Sequence, residues 1–314
     1  MEYRNLGRSG LQVSTVGVGC NNFGMRIDMT ATQAVVDKAI DLGINLFDTA
    51  DVYGGAGKSE EFLGKALGSR RHDVVVATKF GMKMGEGPYG SGASRKYIMA
   101  ACEASLRRLG TDYIDLYQIH TPDPKTPVDE TLRALDDLVR AGKVRYIGHS
   151  NFSGWQTAET HYLAEKHGVT PFISAQNEYS LVVRDIEKEL APACLKYGVG
   201  LLPYFPLASG FLTGKYKAGE EAPAGTRFGE WFKGPYGART LNERNFGILA
   251  KLEAFAGARS HTVLDLAMSW LACKPFVGSV IAGATKPEQV EQNASAASWK
   301  LTAEEMAEVD GLAK

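Results

Sequence analysis

Cysteine is scarce and metal-ligand spacing is missing. The four cysteines, at positions 20, 102, 194 and 273 of 314, form no CxxC pair, which argues against a disulfide framework or a zinc knuckle. The six histidines form no HExxH, so no metal is expected. No run approaches the roughly 18 uninterrupted apolar residues of a membrane span. The opening MEYRNLGRSGLQ has no apolar segment of the secretory kind, and a cytoplasmic protein without a membrane partner is expected. Charge excess is also absent. Thirty-five Lys and Arg face 36 Asp and Glu, for a formal net charge of −1, without long runs of one sign. That balance lacks the footprint of a nucleic-acid binder and favours a small-molecule partner.

What is present is an ordinary globular composition, 44% hydrophobic and 23% charged, arranged in a strict alternation. Eight β-rich runs cover 13–19, 44–50, 73–80, 113–120, 144–151, 172–178, 199–206 and 278–284. Segments of helical period lie between them, at 30–42, 59–67, 94–109, 127–141, 154–167, 186–197, 262–271 and 287–297. Thr30 and Ser94 are candidate N-caps, and Gly43, Gly110, Gly142, Gly168 and Gly198 candidate C-terminal stops. This order predicts an α/β fold, a (β/α)8 TIM barrel forming one domain over 1–314. Three additions are expected: an N-terminal β-hairpin pairing 3–6 with 11–14 across GRSG, a long loop at 216–245 after the seventh strand, and an extra C-terminal helix. Trp231, Phe232 and Tyr236 suggest that the loop is a lid.

Three motifs imitate known chemistry and fail on detail. GGAGKS (54–59) sits between a strand and a helix like a phosphate loop, but Val52 stands where the first glycine of that loop belongs. GEGPYG (85–90) matches GxGxxG, yet it begins four residues past its strand and well before the next helix opens. GHSNF (148–152) resembles a nucleophile elbow with Phe152 in place of the second glycine.

Four ionisable residues share an address. Asp48 and Lys79 end the second and third runs, His120 ends the fourth, and Tyr53 follows Asp48 closely. In a βα barrel all strand C-termini open on one face, where active sites lie. Lys79 beside Tyr53 would favour the phenolate, Asp48 would hold Lys79 protonated, and a neutral His120 would polarise a carbonyl. Taken singly, each residue also has a structural reading: a loop cap, a packed aromatic, a solvated charge, a satisfied histidine.

The segments LFDTADVYG, SEEFLGKAL, VVVATKFG, SLRRLGTDYIDLYQIHTPD, GKVRYIGHSNF, AQNEYSL, PLASGFLTGKY and VIAGATKPEQVEQNASA, in this order, resemble the aldo-keto reductase family over nearly the whole chain. The resemblance implies a barrel that binds NADP(H) by preference, NAD(H) being possible, in extended form without a Rossmann fold. It implies interconversion of a small aldehyde or ketone, a sugar among the candidates, with its alcohol. Asp48, Tyr53, Lys79 and His120 become the catalytic tetrad, with Tyr53 as general acid and base. Asp48, Gly19, Cys20 and Asn21 are assigned to the cofactor as well. Ser150, Asn151 and Gln176 match its carboxamide ligands, and Tyr204 matches the aromatic that stacks on the nicotinamide. Phe205, Pro206, Leu207, Ser209, Gly210, Leu212 and Lys215 match the pyrophosphate loop, with Arg227 in the insertion. Gly283, Thr285, Lys286, Gln289, Gln292 and Asn293 match the adenosine end, Thr285 and Lys286 standing at a helix start that suits a phosphate. The resemblance also places Phe23, Met25, Phe80, loop 81–93 and the aromatics of 228–236 around the substrate. Two rival readings stay open: a cofactor-binding regulatory subunit built on the same barrel, and another barrel chemistry such as sugar-phosphate isomerisation.

Overall fold

Short apolar strands separated by long helical segments need a sheet covered on both faces, and a closed parallel barrel satisfies that need without leaving an edge. The computed structural model describes residues 1–232 and 234–314, and the side chain of Tyr236, expected among the lid aromatics, lies outside the described residues. Ten strands run in chain order: β1 (Tyr3–Asn5), β2 (Gln12–Ser14), β3 (Val16–Gly19), β4 (Leu46–Asp48), β5 (Val75–Phe80), β6 (Ile114–Ile119), β7 (Val144–Ser150), β8 (Ser174–Gln176), β9 (Gly200–Leu201) and β10 (Val280–Gly283). The last eight pair in parallel in the order β10-β3-β4-β5-β6-β7-β8-β9. The sheet closes where Leu201 bridges Val277 and Ile281 N–H donates to the Pro203 carbonyl at 3.2 Å. The expected (β/α)8 architecture is the observed one.

β1 and β2 form the predicted hairpin, registered Tyr3 to Ser14 and Asn5 to Gln12. It plugs the N-terminal end of the barrel. Leu6 is fully buried there with Val13, Leu46, Val75, Ala77, Leu116, Leu202 and Ile281. Gly7 (φ 57°) passes so close that a Cβ would come within 2.5 Å of the Gly198 carbonyl.

The helices fall where the periodicity places them, with one correction at a cap. The first helix, Met29–Asp41, starts two residues earlier than Thr30 implies: Asp28 is the N-cap and its carboxylate accepts from Ala31 N–H. Ser94 caps Arg95–Leu109 as expected, and all five candidate stop glycines have positive φ, between 61° and 76°. The insertion is more structured than a bare loop. It holds the short helices Arg227–Glu230 and Pro235–Thr240 and runs into an unanticipated long helix, Glu243–Gly257, capped by Asn242. The C-terminal helix is Ala303–Leu312.

Candidate functional site

Strand parity decides which side chains enter the barrel. Leu46, Ala77 and Leu116 fill the lower interior, so the next inward positions are Asp48, Lys79 and Gln118, with Gln176 following Ser174 on β8. The alternate residues Phe47, Phe80, Tyr117 and Ile119 face outward into the layer packed against the helices. Phe80 is therefore no pocket residue, which corrects the expectation, and Phe23 is likewise wholly buried in that outer core. Met25 is exposed, as are Met82 and Tyr89 of loop 81–93 and Trp231 of the insertion.

The upper layer is polar and joined. The Lys79 ammonium, 0% exposed, donates to both oxygens of Asp48 at 2.8 and 2.7 Å and to the Thr49 carbonyl at 2.8 Å. Gln176 Nε2 donates to Asp48 Oδ1 at 2.9 Å, and Gln118 Nε2 approaches the same oxygen at 3.5 Å. Gln118 was not anticipated, although its place two residues after the inward Leu116 was the available signal. Tyr53 lies over this pair, with the Lys79 nitrogen 5.2 Å from its ring centroid. His120 meets Tyr53 edge-on at 5.7 Å between centroids. The four residues thus form one cluster at the C-terminal mouth.

Its electrostatics differ in part from the sequence reading. Burial works against the Lys79 charge, but Asp48 and Tyr53 outweigh it and the Lys79 pKa is raised, so the ammonium persists. Burial also pushes the Tyr53 phenol up, and although Lys79 pulls it down, the net direction is upward. The expected lowering by Lys79 is present but loses to desolvation. His120 is held at about 3, first by burial and then by the Lys79 charge, and is neutral at ordinary pH.

From this cluster a groove of about 1130 Å³ runs across the mouth. Along it lie Gly19, Asn21, Asp48, Tyr53, His120, Ser150, Asn151, Gln176, Tyr204, Phe205, Pro206, Leu207, Ser209, Gly210, Lys215, Arg227, Gly283, Thr285, Gln289, Gln292 and Asn293, all named by the sequence reading. Four other named catalytic or cofactor residues do not line it, the first being Lys79, which is wholly buried behind Asp48. Cys20 is fully buried with its thiol toward the Val18 carbonyl, Leu212 is buried in the outer core, and Lys286 is exposed outside the lining. The helix-start donor at Thr285 is also in use, because its N–H donates to Gln289 Oε1 at 2.7 Å.

Sequence reasoning missed Asn22, Arg26, Gly225 and Thr226 on one side of the groove and Asp265, Glu288 and Glu291 at its far end. Arg26 bridges the mouth by donating to the Gly225 carbonyl of the insertion at 3.2 Å. Desolvation, then the charges of Arg227 and Arg26, hold Lys215 below its ordinary pKa, which places three cations in mutual reach. Beside them the chain bends through Phe205 (φ 51°), Ala208 (φ 45°), Ser209 (φ 60°) and Gly210 (φ 91°). Left-handed backbone at three non-glycine residues is strain of the kind found at ligand clamps. Within the turn the Ala208 and Gly210 N–H groups donate to the Phe205 and Leu207 carbonyls at 2.8 and 2.9 Å. At the other end of the groove Tyr204 is fixed by its hydroxyl, which donates to Asn151 Oδ1 at 2.9 Å. Asn151 is itself held at φ 62° and donates to the His120 carbonyl at 2.9 Å. Polar hydrogen-bonding groups beside an aromatic face suit a flat polar ring, and the three cations beside the strained turn suit a pyrophosphate, so these residues fit a nicotinamide dinucleotide.

The motifs set aside from the sequence have structural duties. Ser59 of GGAGKS donates to the Cys20 carbonyl at 2.7 Å, and Gly54, Gly55 and Gly57 turn the chain between Tyr53 and the helix Lys58–Leu67. Ser150 donates to the Gln176 carbonyl at 2.8 Å. Among the described residues no cluster of three or more metal-ligating side chains occurs, and no helix is long and apolar enough to cross a membrane.

Comparison with known proteins adds a family. A model described as "Aldo/keto reductase family" matches residues 15–314. "Probable voltage-gated potassium channel subunit beta" of Oryza sativa subsp. japonica is 40% identical over 302 residues, 94% of this chain and 91% of that protein. "L-glyceraldehyde 3-phosphate reductase" of Escherichia coli (strain K12) is 36% identical over 321 residues, 99% of this chain and 92% of that one.

Proposed function

The chain belongs to the aldo/keto reductase family, and from that premise we propose that it reduces an aldehyde or ketone to the alcohol, or runs the reverse, with NADP(H) preferred and NAD(H) accepted. The observation that carries the reading is the buried Lys79–Asp48 pair set against Tyr53 and a neutral His120 at one end of a groove with three cations farther along it.

A bound nicotinamide supplies the hydride. The chain's own residues do the rest. Tyr53 gives its proton to the oxygen that gains charge, and Lys79, kept protonated by Asp48, stabilises the phenolate left behind. A neutral His120 can donate to the same oxygen without presenting a competing charge. Ser150, Asn151 and Gln176 orient the carboxamide, Tyr204 offers its ring, and Lys215, Arg26 and the 205–210 turn hold the pyrophosphate. Arg227, whose guanidinium would stand 3.4 Å from a Cβ on Gly283, supports the preference for a cofactor with an additional phosphate.

A second reading rests on the relatives described as potassium-channel β subunits: a regulatory barrel that binds the cofactor and turns over little. A panel of sugars, aliphatic and aromatic aldehydes and keto compounds, assayed by loss of NADPH absorbance, separates the two. The reductase reading predicts turnover with at least one class. Tight NADPH binding with no turnover across the panel would favour the regulatory one.

A further inference from the structure

Behind the four ionisable residues lies a second buried cluster that the proposed chemistry does not use. Its centre is Asp51, 1% exposed, in the short link between Asp48 and Tyr53. Neither of its buried carboxylate oxygens has a well-formed hydrogen-bond partner, and the Val52 N–H acts on the carboxyl only weakly against its burial. A buried polar group left so is rare and calls for an explanation. A charged carboxylate in that position would be costly, whereas a protonated one is far less so.

The link itself is laced to β5. Thr49 N–H donates to the Ala77 carbonyl at 2.8 Å, and Asp51 N–H donates to the Lys79 carbonyl at 3.1 Å, while the Lys79 ammonium reaches back to the Thr49 carbonyl. Asp51 and the Lys79 ammonium are thus fixed to the same few atoms of backbone. The charged and titratable groups around Asp51 come from four elements: Glu60 on the helix Lys58–Leu67, Lys79 on β5, Arg108 and Tyr97 on the helix Arg95–Leu109, and Tyr117 on β6. Glu60 is committed elsewhere, accepting from Thr78 Oγ1 at 2.5 Å and from Arg108 Nε at 2.6 Å. Arg108 is engaged by Glu60, and the Tyr97 hydroxyl by the Met82 carbonyl at 3.3 Å. The Tyr117 hydroxyl has no partner of its own.

We propose that Asp51 is a positioning residue that acts through Lys79: it holds a proton in the wall behind the site, and its ionisation sets the charge felt by Lys79 and, through it, by Tyr53. The proposal rests on the reading of Tyr53 as the acid and Lys79 as its partner. Burial first, then the Glu60 carboxylate, raise Asp51 to about 7 against the opposing pull of Arg108, the Val52 N–H and, last, Lys79, so the switch falls at ordinary pH. Below that value Asp48 alone balances Lys79. Above it a second negative charge enters, strengthens the hold on the Lys79 proton and makes Tyr53 a poorer acid.

The sign for stability follows. The folded pKa lies above the unfolded value, so the protein carries no burdened charge below about pH 4 and the full burden above about pH 7. Asp51→Asn, locked in the neutral shape, should therefore gain thermal midpoint over wild type progressively between those limits. Two further readouts test the coupling. The phenolate absorbance of Tyr53, taken as the difference from a Tyr53→Phe background, should titrate lower by about half a unit or more in Asp51→Asn. Where turnover is seen, wild-type reduction should fall through neutrality while Asp51→Asn keeps the low-pH rate. Asp51→Ser should behave as Asp51→Asn, which guards against a packing effect peculiar to one variant. A stability difference that does not vary with pH would overturn the proposal, as would an unmoved Tyr53 titration. Neither of these needs turnover, so failure of the reductase reading and failure of this one are distinguishable.

Discussion

A lysine with no exposed surface survives in this barrel because its three donors are all occupied, two by Asp48 and one by a carbonyl. Removing one partner of such a pair leaves the other charge uncompensated, at a cost of about 3–5 kcal/mol. Lys79→Met should therefore lose stability on that scale in urea unfolding, and the double variant Asp48→Leu/Lys79→Met should recover much of it. Additive losses in the double variant would show that the two residues are not coupled. At this scale the sequence was readable wherever a residue type and its strand parity agreed. Asp48, Lys79 and His120 end β-rich runs, and Tyr53 follows closely. Phe80 was misplaced because one residue of register turns a side chain from the barrel to the helices. Lys286 stands outside the groove lining, and a helix start promises donors without saying whether a neighbour uses them: here Gln289 takes the Thr285 N–H.

Elements place the residues. The turn through 205–210 joins the end of the β9 segment to the cationic side of the groove, and its left-handed residues are strain that the fold tolerates beside Lys215. At Gly210 (φ 91°) an added Cβ would come within 2.6 Å of the Lys215 nitrogen and push that side chain aside. Gly210→Ala should displace Lys215 and weaken NADPH binding, measured by fluorescence titration, by tenfold or so, the equivalent of about 1.4 kcal/mol. Ala208→Gly, which relieves a left-handed residue in the same turn, should leave affinity near wild type. Equal effects in the two variants would remove the assigned role of the Lys215 contact. The strands and most helices were legible because period and punctuation agreed. The helix Glu243–Gly257 was overlooked although Asn242 caps it and Ile248, Leu249, Leu252 and Phe255 supply its buried side. Its start inside a Gly-rich insertion disguised it. Arg26 was missed for a different reason: its contact with Gly225 spans 199 residues of sequence, and no local pattern reports that.

The whole molecule divides its labour by end. The hairpin and an apolar layer close the N-terminal end, while the polar layer, the groove and the insertion occupy the other, so stability and chemistry are separated along the barrel axis. One buried outer core runs from Val16 to Ala313, which supports our reading of 1–314 as one domain. On the proposed function no glycine-rich fingerprint is needed, because the three cations beside the 205–210 turn would take the part of a helix N-terminus. The central claim is that this groove delivers a nicotinamide to Tyr53. It is tested most directly by comparing wild type with Tyr53→Phe under saturating NADPH, using a substrate from the panel, with cofactor affinity measured in parallel. The account predicts that Tyr53→Phe keeps NADPH affinity within about twofold, well under the 1.4 kcal/mol of a tenfold change, while nearly all reduction is lost. Undiminished turnover in Tyr53→Phe would contradict it.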